Sequence, residues 1–312
     1  MKNEELYIYT FYRFININNK KNIKSKLDKY FKNKLLRGTI LIANEGINAS
    51  ISGKEKDLFD IIKIIKQILK IRKLNIKINK IKFLPFNRIK VRLKKEIVSL
   101  GKGKIDVNKL RGKLVHPSEW NDIIKKKDTK LIDTRNIYEI DIGKFKGSIN
   151  PKTNSFREFP SKLKEIGISK DERLAIYCTG GIRCEKAAAY LKLNGYRNIV
   201  QLDGGILNYL DYINKNKKKS LWDGDCFVFD NRTTVNKKLR KGKYSQCNGC
   251  RHPLTEQELN SKYFKKGISC PYCFTKRSPK QKLSSLTRQN QIEQAEKNNR
   301  DHPFKKLTLA DY

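Results

Sequence analysis

In Ala175-Ile176-Tyr177-Cys178-Thr179-Gly180-Gly181-Ile182-Arg183-Cys184 an apolar run delivers a cysteine into a loop with two glycines, and Glu185-Lys186-Ala187-Ala188-Ala189-Tyr190-Leu191 continues as a good helix. The glycines let successive backbone N–H groups turn toward one centre, and the helix N-terminus adds partial positive charge. A thiol held there ionises well below its ordinary range. Arg183 adds a fixed cation, so Thr179, Gly180, Gly181 and Ile182 form an anion-binding cradle around a nucleophilic Cys178. The plain alternative is a buried cysteine that ends a core strand. Four residues separate Cys178 from Arg183, a loop one residue shorter than the one with which cysteine phosphatases wrap a phosphate. Cys184 follows directly. As a resolving thiol it would form a disulfide with Cys178 or accept sulfur from it; otherwise it is a helix-face residue without chemical consequence. Cys226 stands alone and is assigned no role.

A second constellation lies further on. Cys247-Asn248-Gly249-Cys250 and Cys270-Pro271-Tyr272-Cys273 are two CxxC knuckles separated by 19 residues. Each short turn aims two thiolates at one point, and Cys247, Cys250, Cys270 and Cys273 together complete a tetrahedron suited to zinc. The filled shell leaves no open position, which makes the metal structural. His252 is a possible substitute ligand, though a place beside the site or on the surface is the simpler expectation.

The elements that must position these groups follow from periodicity. Tyr7–Phe14 and Gly38–Ala43 are rich in strand formers, Asn44–Asn48 punctuates, and Ala49–Ser52 follows as a strand. Leu58, Ile61, Ile62, Ile64, Ile65 and Leu69 recur at helical spacing, and Ile76–Asn79 and Ile89–Leu93 are further strands. With a helix near 22–35 the order is β-α-β-β-α-β, a ferredoxin-like (acylphosphatase-like) α+β arrangement over residues 1–97. Residues 98–124 are expected to be a linker and leading helix, with Ser118 as its cap. From 125 to 220 strands such as Lys130–Asp133 and Leu174–Tyr177 alternate with helices, the pattern of an α/β core with a parallel sheet. A zinc-knuckle region is expected over 221–279 and a polar tail, helical or loose, over 280–312.

Lys and Arg number 70 against 31 Asp and Glu, a net charge of +39. Such charge suits a polyanion, nucleic acid first, but the chain is also crowded with Lys, Asn and Ile, whose codons are A- and T-rich, so compositional drift supplies part of it. Hydrophobic residues at 38% suffice for packed cores. No apolar run is long enough to span a membrane, the start lacks a secretory pattern, and seven cysteines do not form a disulfide framework. A cytoplasmic protein with reduced thiols is expected.

The short cysteine loop resembles that of the rhodaneses, whose cradle suits sulfur-sized cargo. Leu131-Ile132-Asp133-Thr134-Arg135 is similar to their Asp-x-Arg strand end, Gly143–Asn150 to a later glycine turn with Lys144 in its histidine slot, and Leu202-Asp203-Gly204-Gly205-Ile206 to their closing Gly-Gly turn. The chain as a whole resembles the rhodanese-like tRNA uridine hydroxylases. Gly38–Asn48, Phe83-Leu84-Pro85-Phe86, Lys90-Val91-Arg92, Glu96-Ile97-Val98, Phe156–Pro160, Cys178–Lys186 and Cys247–Leu254 carry that resemblance.

The resemblance implies oxygen-dependent hydroxylation of the wobble uridine at C5, with tRNA, through its anticodon loop, as partner and molecular oxygen as co-substrate. No dinucleotide fingerprint precedes a helix, and His116, His252 and His302 are the only histidines, so no tightly bound iron, flavin or NAD is expected. Addition of the Cys178 thiolate to C6 of uracil would make C5 electron-rich, with Arg183 and the loop amides stabilising charge on a uracil carbonyl. The competing use of the cradle is a Cys178 persulfide, the chemistry of a sulfurtransferase. For the tRNA surface the expected contacts are Arg37, Lys90, Arg92 and Arg157, with the lysine face of the helix near 54–70. Glu45 and Asn48 are either part of that site or simply hairpin geometry.

Overall fold

In the computed structural model, which describes residues 5–32, 34–300 and 302, alternation builds the first unit. Strands β1 (Leu6–Phe14), β2 (Arg37–Ala43), β3 (Gly46–Lys54), β4 (Ile76–Ile81) and β5 (Ile89–Leu93) form one sheet in the order β4-β1-β3-β2-β5. Helices α1 (Lys20–Phe31) and α2 (Glu55–Leu69) follow β1 and β3. Leu58, Ile61, Ile62 and Ile65 of α2 pack with Leu27 and Phe31 of α1 onto Tyr9, Phe11, Ile40, Ile42 and Ile47. Full burial of each such side chain stabilises by roughly 1.5–3 kcal/mol. The expected β-α-β-β-α-β order is present, and β5 adds to it in parallel beside β2.

Pairing register defines the opposite, helix-free face. Lys77, Thr10, Ser50, Thr39 and Lys90 lie in one cross-strand row, and Tyr12, Asn48, Leu41 and Arg92 in the next. This face is polar at its centre, and its end meets the following unit. Phe14 and Ala43, at its end, are buried with Phe159, Leu174 and Ala187 of the following unit.

The second unit carries β6 (Lys113–Val115), α3 (Pro117–Ile124), β7 (Thr129–Asp133), α4 (Ile137–Ile140), β8 (Gly143–Phe145), α5 (Phe159–Ile166), β9 (Arg173–Tyr177), α6 (Ile182–Leu193), β10 (Ile199–Leu202) and α7 (Gly205–Lys215). Its parallel sheet runs β6-β10-β9-β7. Two boundaries differ from expectation. The segment expected as linker contributes β6, an edge strand with only one buried residue and hence little periodicity to detect. The cap of α3 is His116, whose ring accepts from the Ser118 N–H at 3.2 Å, while Pro117 takes the first helical position.

Beyond 220, β11 (Trp222–Gly224) pairs antiparallel with β8, and Trp222 packs into the second unit against Phe145. The cysteine-rich region therefore begins after a strand that belongs to the core. Small pairs β12 (Cys226–Phe227) with β13 (Thr234–Val235) and β14 (Ser245–Gln246) with β15 (Pro253–Leu254) follow, then α8 (Glu256–Leu259) and α9 (Pro279–Lys297). Ser278 caps α9, so the front of the polar tail is helical; residues 301 and 303–312 lie outside the described part. Among the described residues no helix is long and apolar enough to cross a membrane.

Candidate active site

Strand β9 ends at Tyr177 and α6 begins at Ile182, and Cys178 opens the intervening loop with its side chain fully buried, at the end of a core strand. Gly181 caps α6 with φ 99°, a left-handed conformation that suits glycine, and its N–H donates to Cys178 Sγ at 3.0 Å. Burial alone would push this thiol up. The Cys184 thiol's hydrogen bond, the Arg183 charge and the backbone N–H groups of Cys184 and Gly181 outweigh it and hold the thiol at about 5. Cys184 moves oppositely: burial and the adjacent Cys178 push it well above its ordinary range, so it stays a thiol and a donor. Below the loop, Gly205 brings Ile206 N–H to 2.9 Å from the Cys178 carbonyl; a Cβ on Gly205 would lie 2.4 Å from that oxygen. Gly180 is open, with nothing within 4 Å of a Cβ built on it.

A chain of buried charge fixes Arg183. Asp133 at the end of β7 binds Arg135 through Nε at 2.9 Å and Nη2 at 2.6 Å, and Arg135 Nη1 donates to the Glu139 carbonyl at 3.0 Å. This sets the short helix α4, whose Glu139 carboxylate grips Arg183 at 2.6 and 2.8 Å. Burial would push the Glu139 carboxyl up, but Arg183 beside it wins and keeps it ionised. Arg183 thus lies in the cradle as expected, yet its guanidinium spans Glu139 and Thr179 instead of standing free. Glu139 was not singled out in the sequence; its capping box with Asn136 was the available signal.

The start of α6 also docks the first unit. Tyr12 donates to Glu185 Oε1 at 2.7 Å. Lys186, fully buried, donates to both Glu45 oxygens at 2.7 and 2.9 Å, to the Glu96 carboxylate and to the Val98 carbonyl at 3.0 Å. Glu45 accepts the Ile97 N–H at 2.7 Å as well, and Asn48 donates to the Ile97 carbonyl at 3.2 Å. Both residues therefore do more than shape the hairpin. Tyr12, Glu185 and Lys186 join two units, a role no local pattern announces.

Arg37, Lys90 and Arg92 share the helix-free sheet face. Partial burial, with Arg88, Arg92 and Arg251 nearby, lowers the Lys90 ammonium's pKa, so Arg251 of the four-cysteine region lies near this patch. Arg157 is exposed and runs alongside Gly101. The lysine face of α2 lies across the sheet from these groups, because the apolar stripe of α2 packs on the opposite side; it is not part of this surface. Near Arg183, Phe229 sits 5.7 Å from the guanidinium and leads through Phe227 and Tyr138 to His252 and Tyr272.

The four knuckle cysteines converge, with all sulfurs within 4.8 Å of one another. Separations of 3.9, 3.7 and 3.8 Å for the pairs 247–273, 250–270 and 270–273 match the ~3.8 Å edge of a tetrahedron with Zn–S of about 2.3 Å. His252 stacks on Tyr272 at 3.6 Å and is outside the cluster. Cys226 is buried in the core of the second unit.

Comparison with known proteins agrees with this architecture. Residues 6–97 match the UPF0176 acylphosphatase-like domain and residues 116–211 the rhodanese-like domain. The class is therefore a rhodanese-domain protein preceded by an acylphosphatase-like unit. The chain is 44% identical over 300 residues to the tRNA uridine(34) hydroxylase of Pelagibacter ubique (strain HTCC1062), covering 96% of this chain and 98% of that one. It belongs to the tRNA uridine(34) hydroxylase family. Among solved structures, a rhodanese-related protein from Thermoplasma volcanium is 26% identical over 32% of this chain and 92% of its own, with TM-score 0.28. A rhodanese-like domain protein from Staphylococcus aureus is 24% identical over 31% and 90%, with TM-score 0.27.

Proposed function

We propose that this protein is a tRNA-modifying enzyme that uses molecular oxygen to hydroxylate C5 of the wobble uridine in the anticodon loop, in the cytoplasm, with Cys178 as nucleophile. The observation that carries the reading is Cys178 Sγ accepting the Gly181 N–H at 3.0 Å beside Cys184 and the Arg183 charge, a setting that lowers the thiol's pKa, in a member of this family. The thiolate adds to C6, and the C5=C6 electron pair moves toward C5 and the conjugated carbonyl. C5 then bonds one atom of oxygen. A two-electron donor and two protons carry the other atom to water, and loss of the C5 proton expels the thiolate from C6. Cys184 serves here as the donor that keeps Cys178 ionised, and Gly181 and Arg183 hold charge in the cradle.

The base must leave its stack to reach the sulfur, which an anticodon loop permits at small cost. Gly180 marks the open side of the cradle. Exposed Phe229 and Tyr272, with the Lys90, Arg92 and Arg251 cations, offer unstacked bases aromatic faces and phosphates a counter-charge. The sulfurs of Cys247, Cys250, Cys270 and Cys273 would hold a structural zinc, which ties together the loop bearing Arg251 and His252. Nucleoside mass spectrometry on a deletion strain carrying Cys178→Ser tests the reading: 5-hydroxyuridine should be absent, and a full level refutes it. Thiosulfate-to-cyanide turnover together with that full level would favour a persulfide carrier.

A further inference from the structure

Lys77, on the edge strand β4, ends in an ammonium that is buried yet has no partner among the described residues. Register sets Lys77 opposite Thr10, on the sheet face that also carries Tyr12. Both side chains cross to the cysteine cradle. A Cβ on Gly204 would lie 2.8 Å from Lys77 Nζ, and one on Gly181 would lie 2.8 Å from the Tyr12 hydroxyl and 3.6 Å from Gly204 Cα. Gly181 is the residue whose N–H holds the thiolate. Lys77 therefore stands over the Gly204-Gly205 turn that packs on the cysteine loop, near enough for the Cys178 charge to act on it, delivered there by the other domain.

Its chemistry differs from that of Arg183. Glu139 takes up the guanidinium with two hydrogen bonds, so that cation is already matched. An unmatched buried ammonium is costly, and the cost falls when an anionic or carbonyl oxygen arrives to meet it. Burial lowers the Lys77 pKa to about 8, against the opposing pull of Cys178 and Asp203, which leaves it protonated at neutral pH.

We propose that Lys77 is a catalytic residue contributed by the N-terminal domain, its Nζ–H donating to the uracil carbonyl oxygen conjugated with the C5=C6 bond. The inference rests on Cys178 being the nucleophile. As the sulfur bonds to C6, the C5=C6 pair shifts to form C4=C5 and the C4=O pair moves onto oxygen; no proton leaves. The charge lost by sulfur appears on that oxygen, where the ammonium meets it. Among the described residues the second unit has no unmatched buried cation of its own, which gives the docked N-terminal domain a chemical task.

The test uses the full chain and tRNA carrying 5-fluorouridine, without oxygen. Fluorine speeds addition at C6, and the resulting enolate takes a proton from solvent at C5, so a covalent protein–tRNA adduct forms and is read on a denaturing gel. Wild type should form it, Cys178→Ser should not, Lys77→Met should form it at least tenfold more slowly, and Lys77→Arg should fall between. The melting temperature of Lys77→Met should equal or exceed that of wild type and its tRNA affinity should match, which separates the role from a structural one. Equal rates for Lys77→Met and wild type overturn Lys77 and leave Cys178 standing. No complex with wild type overturns the nucleophile reading and Lys77 with it.

Discussion

Replacing Lys186 by Met should uncouple the two domains. The Lys186 side chain is 0% exposed, and the carboxylates it serves, Glu45 and Glu96, are 20% and 17% exposed. Methionine keeps the packing volume but leaves two carboxylates facing each other with the Val98 carbonyl and no cation. Removing one partner of a buried pair costs about 3–5 kcal/mol. Urea unfolding of wild type, Lys186→Met, Glu45→Gln and the double variant gives the loss and, through the cycle, the coupling. The double variant should lose clearly less than the sum of the singles, since a neutral Glu45 position no longer needs the ammonium. Tyr12 and Lys77 would lose their seat over the cradle, so 5-hydroxyuridine should fall in parallel. Burial pushes the Glu96 carboxyl up, yet Lys186 and the Leu100 and Gly101 N–H groups bring it below its ordinary value. The stability from that depressed carboxyl is present above the unfolded pKa near 4.3 and is lost as pH falls through the folded one. The penalty of Lys186→Met should therefore shrink in acid. A loss under about 1 kcal/mol, or simple additivity, would refute the docking argument.

Glu139→Gln leaves Arg183 buried without its counter-charge; it should cost about 3–5 kcal/mol in urea unfolding and lower the Cys178 pKa further, read by thiolate absorbance. Ala at Lys90 or Arg92 should each reduce the slope of log tRNA affinity against log salt by about 0.7, the value for one lost single-strand phosphate contact, whereas Ala at Lys63 on α2 should not change it. The purified chain should carry one zinc per protein by elemental analysis. Cys250→Ser should lose it and open the knuckle to proteolysis while the parallel-sheet core persists.

Much of the site was legible because local sequence encodes it. The strand, the two glycines and the helix around Cys178 are consecutive, so the cradle can be drawn from one segment; the CxxC pairs likewise carry their own geometry. What escaped depends on contacts between distant segments. Glu139 meets Arg183 across 44 positions and Tyr12 meets Glu185 across 173, and neither pair leaves a periodic trace. Lys77 sits among many lysines of a chain with net charge +39, so composition hid it. Strand β6 was missed because three residues with one buried side chain show no alternation. The charged face of α2 shows the converse: a lysine pattern does not say where a helix lies, and only the sheet register places that face across the sheet from Arg37, Lys90 and Arg92.

The ionisation of Cys178 is the claim on which the chemistry depends, and a thiolate absorbance titration of wild type against Cys178→Ser measures it directly. The difference spectrum should show one thiol titrating near 5. Because the folded pKa lies below the unfolded value of about 8.5, wild type should also gain stability over Cys178→Ser as pH rises between those values. A thiol titrating near 8.5, with no such gain, would contradict the account.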